Sequence, residues 1–294
     1  MDAPRDPEEL EALGTPAAEI DAATRMGAVQ LTVADLARSL DYYRTAVGLE
    51  LLREEAGTAW LGAGGVELLE LAELPGARPA DGCTGLYHFA LLVPERVDLA
   101  RWLAHAARER VPLTGASDHF VSEAIYLSDP DHHGIEIYWD RPRELWEGQV
   151  HRMGTWPLDL DGLLGELGGA AAPFAGLPSG TTMGHVHLRV AEVESTIRFY
   201  RDVLGFGLMA QLGPQAAFLS AGGYHHHLGA NVWESRGAPP APPGTAALRA
   251  ATIVLPSAGE RDRVLARVDA AGLPAEGDVV CDPSDNRLVL AVAG

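Results

Sequence analysis

A long internal repeat limits what this chain can become. Residues 26–51, MGAVQLTVADLARSLDYYRTAVGLEL, return as residues 183–208, MGHVHLRVAEVESTIRFYRDVLGFGL. Met-Gly, a Val, a Leu, Val-Ala, a Tyr-Arg pair and a closing Gly occupy matching positions. Each copy opens with the alternation of a strand and continues with apolar residues at helical spacing. These are Leu36, Leu40, Tyr43 and Val47 in the first copy, and Val193, Ile197, Tyr200 and Leu204 in the second. Gly48 and Gly205 then stand where a helix end calls for positive φ. Short strands around a Gly-Gly turn follow, AWLGAGGVELLEL in one copy and AFLSAGGYHHHLGANVW in the other. Each copy is therefore a βαβββ module.

A fainter pair completes the pattern. His88–Pro94 (HFALLVP) and Ala250–Pro256 (AATIVLP) each lead into a helical stretch. Each unit ends in a turn and strand, SDPDHHGIEIYW at Ser128–Trp139 and CDPSDNRLVLAV at Cys281–Val292. Four such modules predict an α+β fold in which they pair into two cupped-sheet, half-barrel domains, each with a pocket on its inner face. Pairing in chain order predicts a tail at 1–24, a domain of modules 1 and 2 at 25–141, a linker at 142–182, and a domain of modules 3 and 4 at 183–294. Within the linker, Leu158–Leu167 reads as a short helix and Gly168–Thr182 as flexible chain.

Composition narrows the partners. The 294 residues are 47% apolar, enough for two ordinary cores. Asp and Glu number 41 against 22 Lys and Arg, a net charge of −19. Such a surface repels phosphate backbones and anionic lipid, so neither nucleic acid nor membrane is expected as a partner, while a homo-oligomer is left open. Met1–Leu10 has no basic or apolar signal region, and no apolar run reaches spanning length. The two cysteines, Cys83 and Cys281, lie far apart and read as reduced thiols of a cytoplasmic protein.

The repeat resembles the vicinal oxygen chelate superfamily, which includes glyoxalase I, bleomycin-binding proteins and type I extradiol ring-cleaving dioxygenases. The four-module count and the motif of module 2 look most like catechol 2,3-dioxygenase-like members. The resemblance implies a small catecholic substrate, O₂ and a divalent metal: Fe(II) first, with Mn(II) or another ion as substitutes. Carried onto this sequence, it makes His88 and Glu136, on the first and last strands of module 2, metal ligands. His119 takes the place of the proton-shuttling His, and Tyr126 that of the Tyr that hydrogen-bonds substrate. Two His and one carboxylate hold Fe(II) on one face and leave adjacent positions for a catecholate and O₂. A neighbouring His can exchange protons near neutral pH. His132 and His133, in the Asp-Pro-Asp turn, read as exposed.

In the resembled family a third ligand comes from the first strand of module 1, within a Gly-His-Val pattern. Module 1 has Gly27-Ala28-Val29 there, and Ala28 cannot bind metal. Gln30 shares its face about 7 Å further along the strand. Module 3 keeps the pattern as Gly184-His185-Val186 and adds His187 and the run His225–His227. Module 4, however, has Ala250 and Val289 where module 2 has His88 and Glu136. On a strand His225 and His227 would share one face and His226 the other. Gln30, His185, His187 and His226 therefore read as a substrate-lining or secondary site. The leading expectation is an extradiol dioxygenase with its metal in the N-terminal half. Two alternatives stand beside it: a metal-poor, resistance-type binding protein, favoured by Ala28, Ala250 and Val289, and a glyoxalase-type lyase or isomerase, to which Glu67 or Glu70 would add carboxylates.

Overall fold

The computed structural model describes residues 16, 18–168 and 174–294. Most of the expected tail (1–15 and 17) and residues 169–173 of the expected linker lie outside them. Module 1 comprises β1 (Arg25–Val33), α1 (Leu36–Tyr42), which ends in a π-helical turn at Tyr43–Val47, β2 (Glu50–Glu55), β3 (Thr58–Ala63) and β4 (Val66–Glu73). After the short β5 (Arg78–Pro79), module 2 comprises β6 (Gly85–Leu92), α2 (Arg96–Glu109), β7 (Gly115–Asp118), β8 (Ser122–Ser128) and β9 (Gly134–Asp140). The connection holds β10 (Trp156–Pro157) and α3 (Leu160–Gly165), the helix expected there. Module 3 comprises β11 (Thr182–Arg189), α4 (Val193–Ile197) with a π-helical end at Arg198–Leu204, β12 (Gly207–Leu212), β13 (Ala216–Ser220) and β14 (Leu228–Asn231). Then come β15 (Thr245–Ala246) and module 4: β16 (Leu248–Leu255), α5 (Ala258–Ala270), β17 (Ala275–Glu276), β18 (Val279–Cys281) and β19 (Arg287–Val292).

The local reading of the repeats holds. Leu36, Tyr43 and Val47 are buried, as are Val193, Ile197, Tyr200 and Leu204. Gly48 and Gly205 end the two helices at φ 91° and 96°, where a β-carbon would be strained.

The pairing of modules differs from expectation. One sheet has the order β17-β18-β19-β16-β1-β4-β3-β2, and the other β10-β7-β8-β9-β6-β11-β14-β13-β12. Module 1 thus shares a sheet with module 4, through antiparallel β1 and β16. Module 2 shares one with module 3, through antiparallel β6 and β11. The expected division into a 1–2 cup at 25–141 and a 3–4 cup at 183–294 does not describe these sheets. The physical reason is that the four opening strands carry similar alternating patterns. Alternation fixes which face is buried but not which strand lies alongside.

Modules that follow one another in the chain remain tied by buried hydrogen bonds. Tyr43 Oη donates to Asp129 at 2.9 Å, and Tyr200 Oη to Asp282 at 3.2 Å. A single continuous core runs through both sheets, taking in Val29 and Leu31 of β1 and Val186 and Leu188 of β11. The part of the connection between β9 and Glu166 is built into the fold: Trp156 pairs with Asp118, and Arg96 reaches from α2 to Glu166. Among the described residues no helix is long and apolar enough to cross a membrane.

Candidate metal centre and its pocket

The 2–3 sheet curls around a cavity of about 520 Å³. On its floor lie His88 from β6, Glu136 from β9 and His185 from β11, all buried. Strand register brings them there. β9 runs parallel to β6 with Glu136 opposite Ala90, and β11 runs antiparallel to β6 with His185 opposite the same Ala90. Glu136 Oε2 stands 3.0 Å from His88 Nε2 and 3.2 Å from His185 Nε2, and the two Nε2 atoms are 3.4 Å apart. Three ligands at neighbouring corners of an octahedron with bonds of about 2.1 Å would be about 3 Å apart. Among the described residues this is the one group of three such side chains close enough to hold a metal ion.

The protonation states suit an ion. Burial alone would raise the Glu136 carboxyl, but His185 and His88 overcome it and hold it well below the usual carboxylate range. Burial lowers the His185 imidazole, against the pull of Glu136, which favours a neutral ring with a free lone pair. Gly184 is required on steric grounds, because a β-carbon there would collide with the hydroxyl of buried Tyr138.

Sequence reasoning did not make His185 a primary ligand, and took Ala28 as the loss of one. Ala28 lies on β1, in the other sheet. Gln30 lies there too, opposite Glu70 and Ala250, and is not part of the cavity wall. Glu70 is engaged with Arg249 and Trp60, and Glu67 with Arg53, so neither joins the triad. The signal was present in the sequence. Modules 2 and 3 keep metal-ligating residue types where modules 1 and 4 hold Ala28, Ala250 and Val289, and only a 2–3 pairing brings two His and a Glu together.

One wall of the cavity carries His119 and Tyr126, whose Nε2 and Oη are 2.6 Å apart. Tyr126 lies opposite Glu136 in the register, and its ring is 5.6 Å from that of His88. His119 Nδ1 lies 2.6 Å from the Gly154 carbonyl and must donate to it, so in the neutral ring Nε2 accepts from Tyr126. Burial, reinforced by the charge of Glu136, raises the Tyr126 phenol well above its ordinary range and keeps it a donor. Met153, Gly154 and Thr155 complete this wall, so part of the expected linker is pocket lining.

The opposite wall carries His226, whose ring lies 4.1 Å from that of His185. The run His225–His227 falls in the turn before β14 rather than on a strand, so the expected face alternation does not apply. His225 Nε2 donates to Asp140 at 2.8 Å, which leaves its Nδ1 to accept from His226 Nδ1 at 2.7 Å. His226 Nε2 is then the lone-pair nitrogen. Tyr224 donates to the other oxygen of Asp140 at 2.7 Å. Burial holds the His226 and His187 imidazoles well below their usual range, helped by the neighbouring histidines. His187 also lines the cavity. His132 is exposed, as expected, but His133 is buried and bonded to Asp129.

This doubly repeated βαβββ fold, with a His-His-Glu cluster in one curled sheet, defines a class. The chain belongs to the glyoxalase/bleomycin resistance protein/dioxygenase superfamily, whose family model matches residues 25–137 and 182–286. It is 44% identical over 261 residues to a catechol-2,3-dioxygenase of Bacillus subtilis (strain 168), covering 86% of this chain and 90% of that one. Among solved structures it resembles a putative dioxygenase from Bacillus subtilis subsp. subtilis str. 168, with TM-score 0.63, 15% identity, and 94% and 86% of the two chains covered. It also resembles glyoxalase I from Zea mays, with TM-score 0.54, 19% identity, and 91% and 92% covered.

Proposed function

We propose that this chain is an extradiol ring-cleaving dioxygenase that acts on a small catechol with a divalent metal, Fe(II) by preference. The observation that carries the reading is the facial triad His88, His185 and Glu136 at the floor of a cavity with histidines on both walls. The relative named catechol-2,3-dioxygenase supports it at 44% identity. The bound metal would supply chelation of the two catechol oxygens and a route for electrons to O₂.

The chain's own residues would do the rest. His226, whose Nε2 lone pair is fixed by the bonds running back to Asp140, accepts the proton that a catechol hydroxyl loses on binding. Tyr126, whose hydroxyl proton is engaged by His119 Nε2, presents an acceptor oxygen to the bound substrate. A substrate proton taken up at Tyr126 Oη moves the phenol proton on to His119 Nε2 and is returned by the reverse path. The cavity walls hold the ring and exclude water. Both atoms of O₂ end in the product as one ring bond adjacent to the diol breaks, giving an aldehyde and a carboxylate.

The test is oxygen uptake by anaerobically purified, Fe(II)-loaded protein on a panel of catechols, alongside a yellow ring-opened product. Stoichiometric uptake of one O₂ per catechol is expected. Iron demonstrably bound, with no uptake on any catechol, would leave a binding protein or a glyoxalase-type activity as the better account.

A further inference from the structure

His187 has no role in the triad, yet it is nearly completely buried and its Nε2 has no hydrogen-bond partner. Buried polar atoms in folded proteins are almost always paired, so an exception on a side chain that lines a cavity calls for a ligand. The position is built for this ring. Gly229 stands opposite His187 in the β11–β14 register, and a β-carbon there would lie 2.8 Å from the imidazole Cγ. Any residue but glycine would push His187 out of place.

The surroundings describe what the atom awaits. Tyr87, Trp233 and Phe218 surround the imidazole, with ring centroids 5.3, 5.6 and 5.6 Å away, while the ring of His88 lies at 5.0 Å. All of these rings line the same cavity, and the exposed Trp233 marks its mouth. Arg189, two residues further along β11, also lines it and has a buried, unpartnered Nε. Its guanidinium is paired with Glu234 at 2.9 Å. The wall between metal ligands and mouth is therefore aromatic, with two unmet nitrogens and its one cation already balanced.

We propose that His187, with Tyr87, Trp233 and Arg189, forms a substituent subsite that selects catechols bearing an uncharged carbonyl group on the side of the ring facing the cavity mouth. His187 Nε2–H and Arg189 Nε–H are the donors, and the aromatic rings hold the flat acyl group. A carboxylate is disfavoured there because Glu234 would stand beside it. The inference rests on the dioxygenase reading for the placement of the diol, but the subsite itself can be tested without turnover.

The experiment compares Fe(II)-loaded wild type, His187→Leu and His187→Gln on catechols carrying methyl, acetyl or carboxylate groups at the same ring position. It reads kcat/KM in air and equilibrium binding without O₂. The ratio of acetyl to methyl catechol should fall by about tenfold to a hundredfold in His187→Leu, in binding as well as turnover. His187→Gln, which retains a donor, should recover part of that ratio. An unaltered ratio, or a parallel loss on all three compounds, would overturn the subsite. Preference for carboxylate over acetyl would overturn its uncharged character. Wild type that turns over none of them, yet binds acetyl catechol with a preference that His187→Leu abolishes, would sink the dioxygenase reading and leave the subsite standing.

Discussion

The Nε2 atoms of His88 and His185 stand 3.4 Å apart although 97 positions separate the residues in sequence. They come from the opening strands of modules 2 and 3, joined as antiparallel neighbours. The centre therefore exists only if the two halves of the chain share a sheet. Replacing His185 with Ala should weaken metal binding as severely as His88→Ala or Glu136→Ala, by at least tenfold, or about 1.4 kcal/mol. Ala28→His, on the other sheet, should leave metal affinity at the wild-type value, as should His132→Ala. Metal titration of the apo-protein checks all five. A gain of affinity in Ala28→His would contradict the observed pairing of modules.

That prediction marks the boundary of what the sequence could disclose. Helices, strands and the helix-ending glycines were legible because apolar periodicity and positive φ are local requirements, met at Leu36, Tyr43, Gly48 and their counterparts. His88 and Glu136 stood out for a similar reason, since one module carries both. His185 was visible as a histidine, but its company depends on strand pairing over a long loop, and β1 and β11 look alike locally. The turn at His225–His227 hid its hydrogen-bond chain because residues without regular secondary structure have no face to read. His133 seemed exposed because the Asp-Pro-Asp turn is polar; Asp129, capping that turn from within, draws it inward.

The His119–Tyr126 pair gives a graded expectation. His119→Ala should slow turnover by about two to four orders of magnitude, the range for loss of a general acid–base. Tyr126→Phe removes one hydrogen bond and leaves the ring, so its defect should be about fivefold, or about 1 kcal/mol. Catechol affinity measured without O₂ should change far less than turnover in both. Equal losses of affinity and turnover would show that the pair binds rather than moves protons.

Asp140 offers a test of the opposite wall. It accepts from His225 and Tyr224 and so dictates which nitrogen of His226 carries the proton. Asp140→Asn can present an NH₂ to His225 and reverse that order. Turnover should fall by about 10- to 100-fold, as for other outer-layer partners, with bound metal at the wild-type level. Loss of metal in step with activity would mean that Asp140 supports the fold of the centre rather than the tautomer of His226.

The last expectation concerns pH and compares two turns that the repeat makes equivalent. Asp129 and Asp282 each accept a tyrosine hydroxyl and two backbone N–H groups. Asp129 also accepts from His133 Nδ1 at 2.8 Å, where Asp282 has only the neutral amide of Asn286 at 2.9 Å. Burial raises both carboxyls. At Asp129 the charge and hydrogen bonds of His133 overcome it and bring the group below its usual value, while at Asp282 burial wins and the group stays raised. A lowered folded value makes Asp129 a source of stability that is fully present above the unfolded pKa of about 3.9 and lost as pH falls through the folded value. Asp282 runs the other way: its contribution is present below about 3.9 and fades as pH rises through its raised value. His133→Asn should convert the first turn into the second. It should cost about 1–3 kcal/mol near neutrality, and the difference from wild type should shrink as acid protonates Asp129 in both proteins. Urea unfolding at pH 7, 5 and 3 measures this, and a penalty that stays constant down to pH 3 would show that His133 matters through packing rather than through the carboxylate.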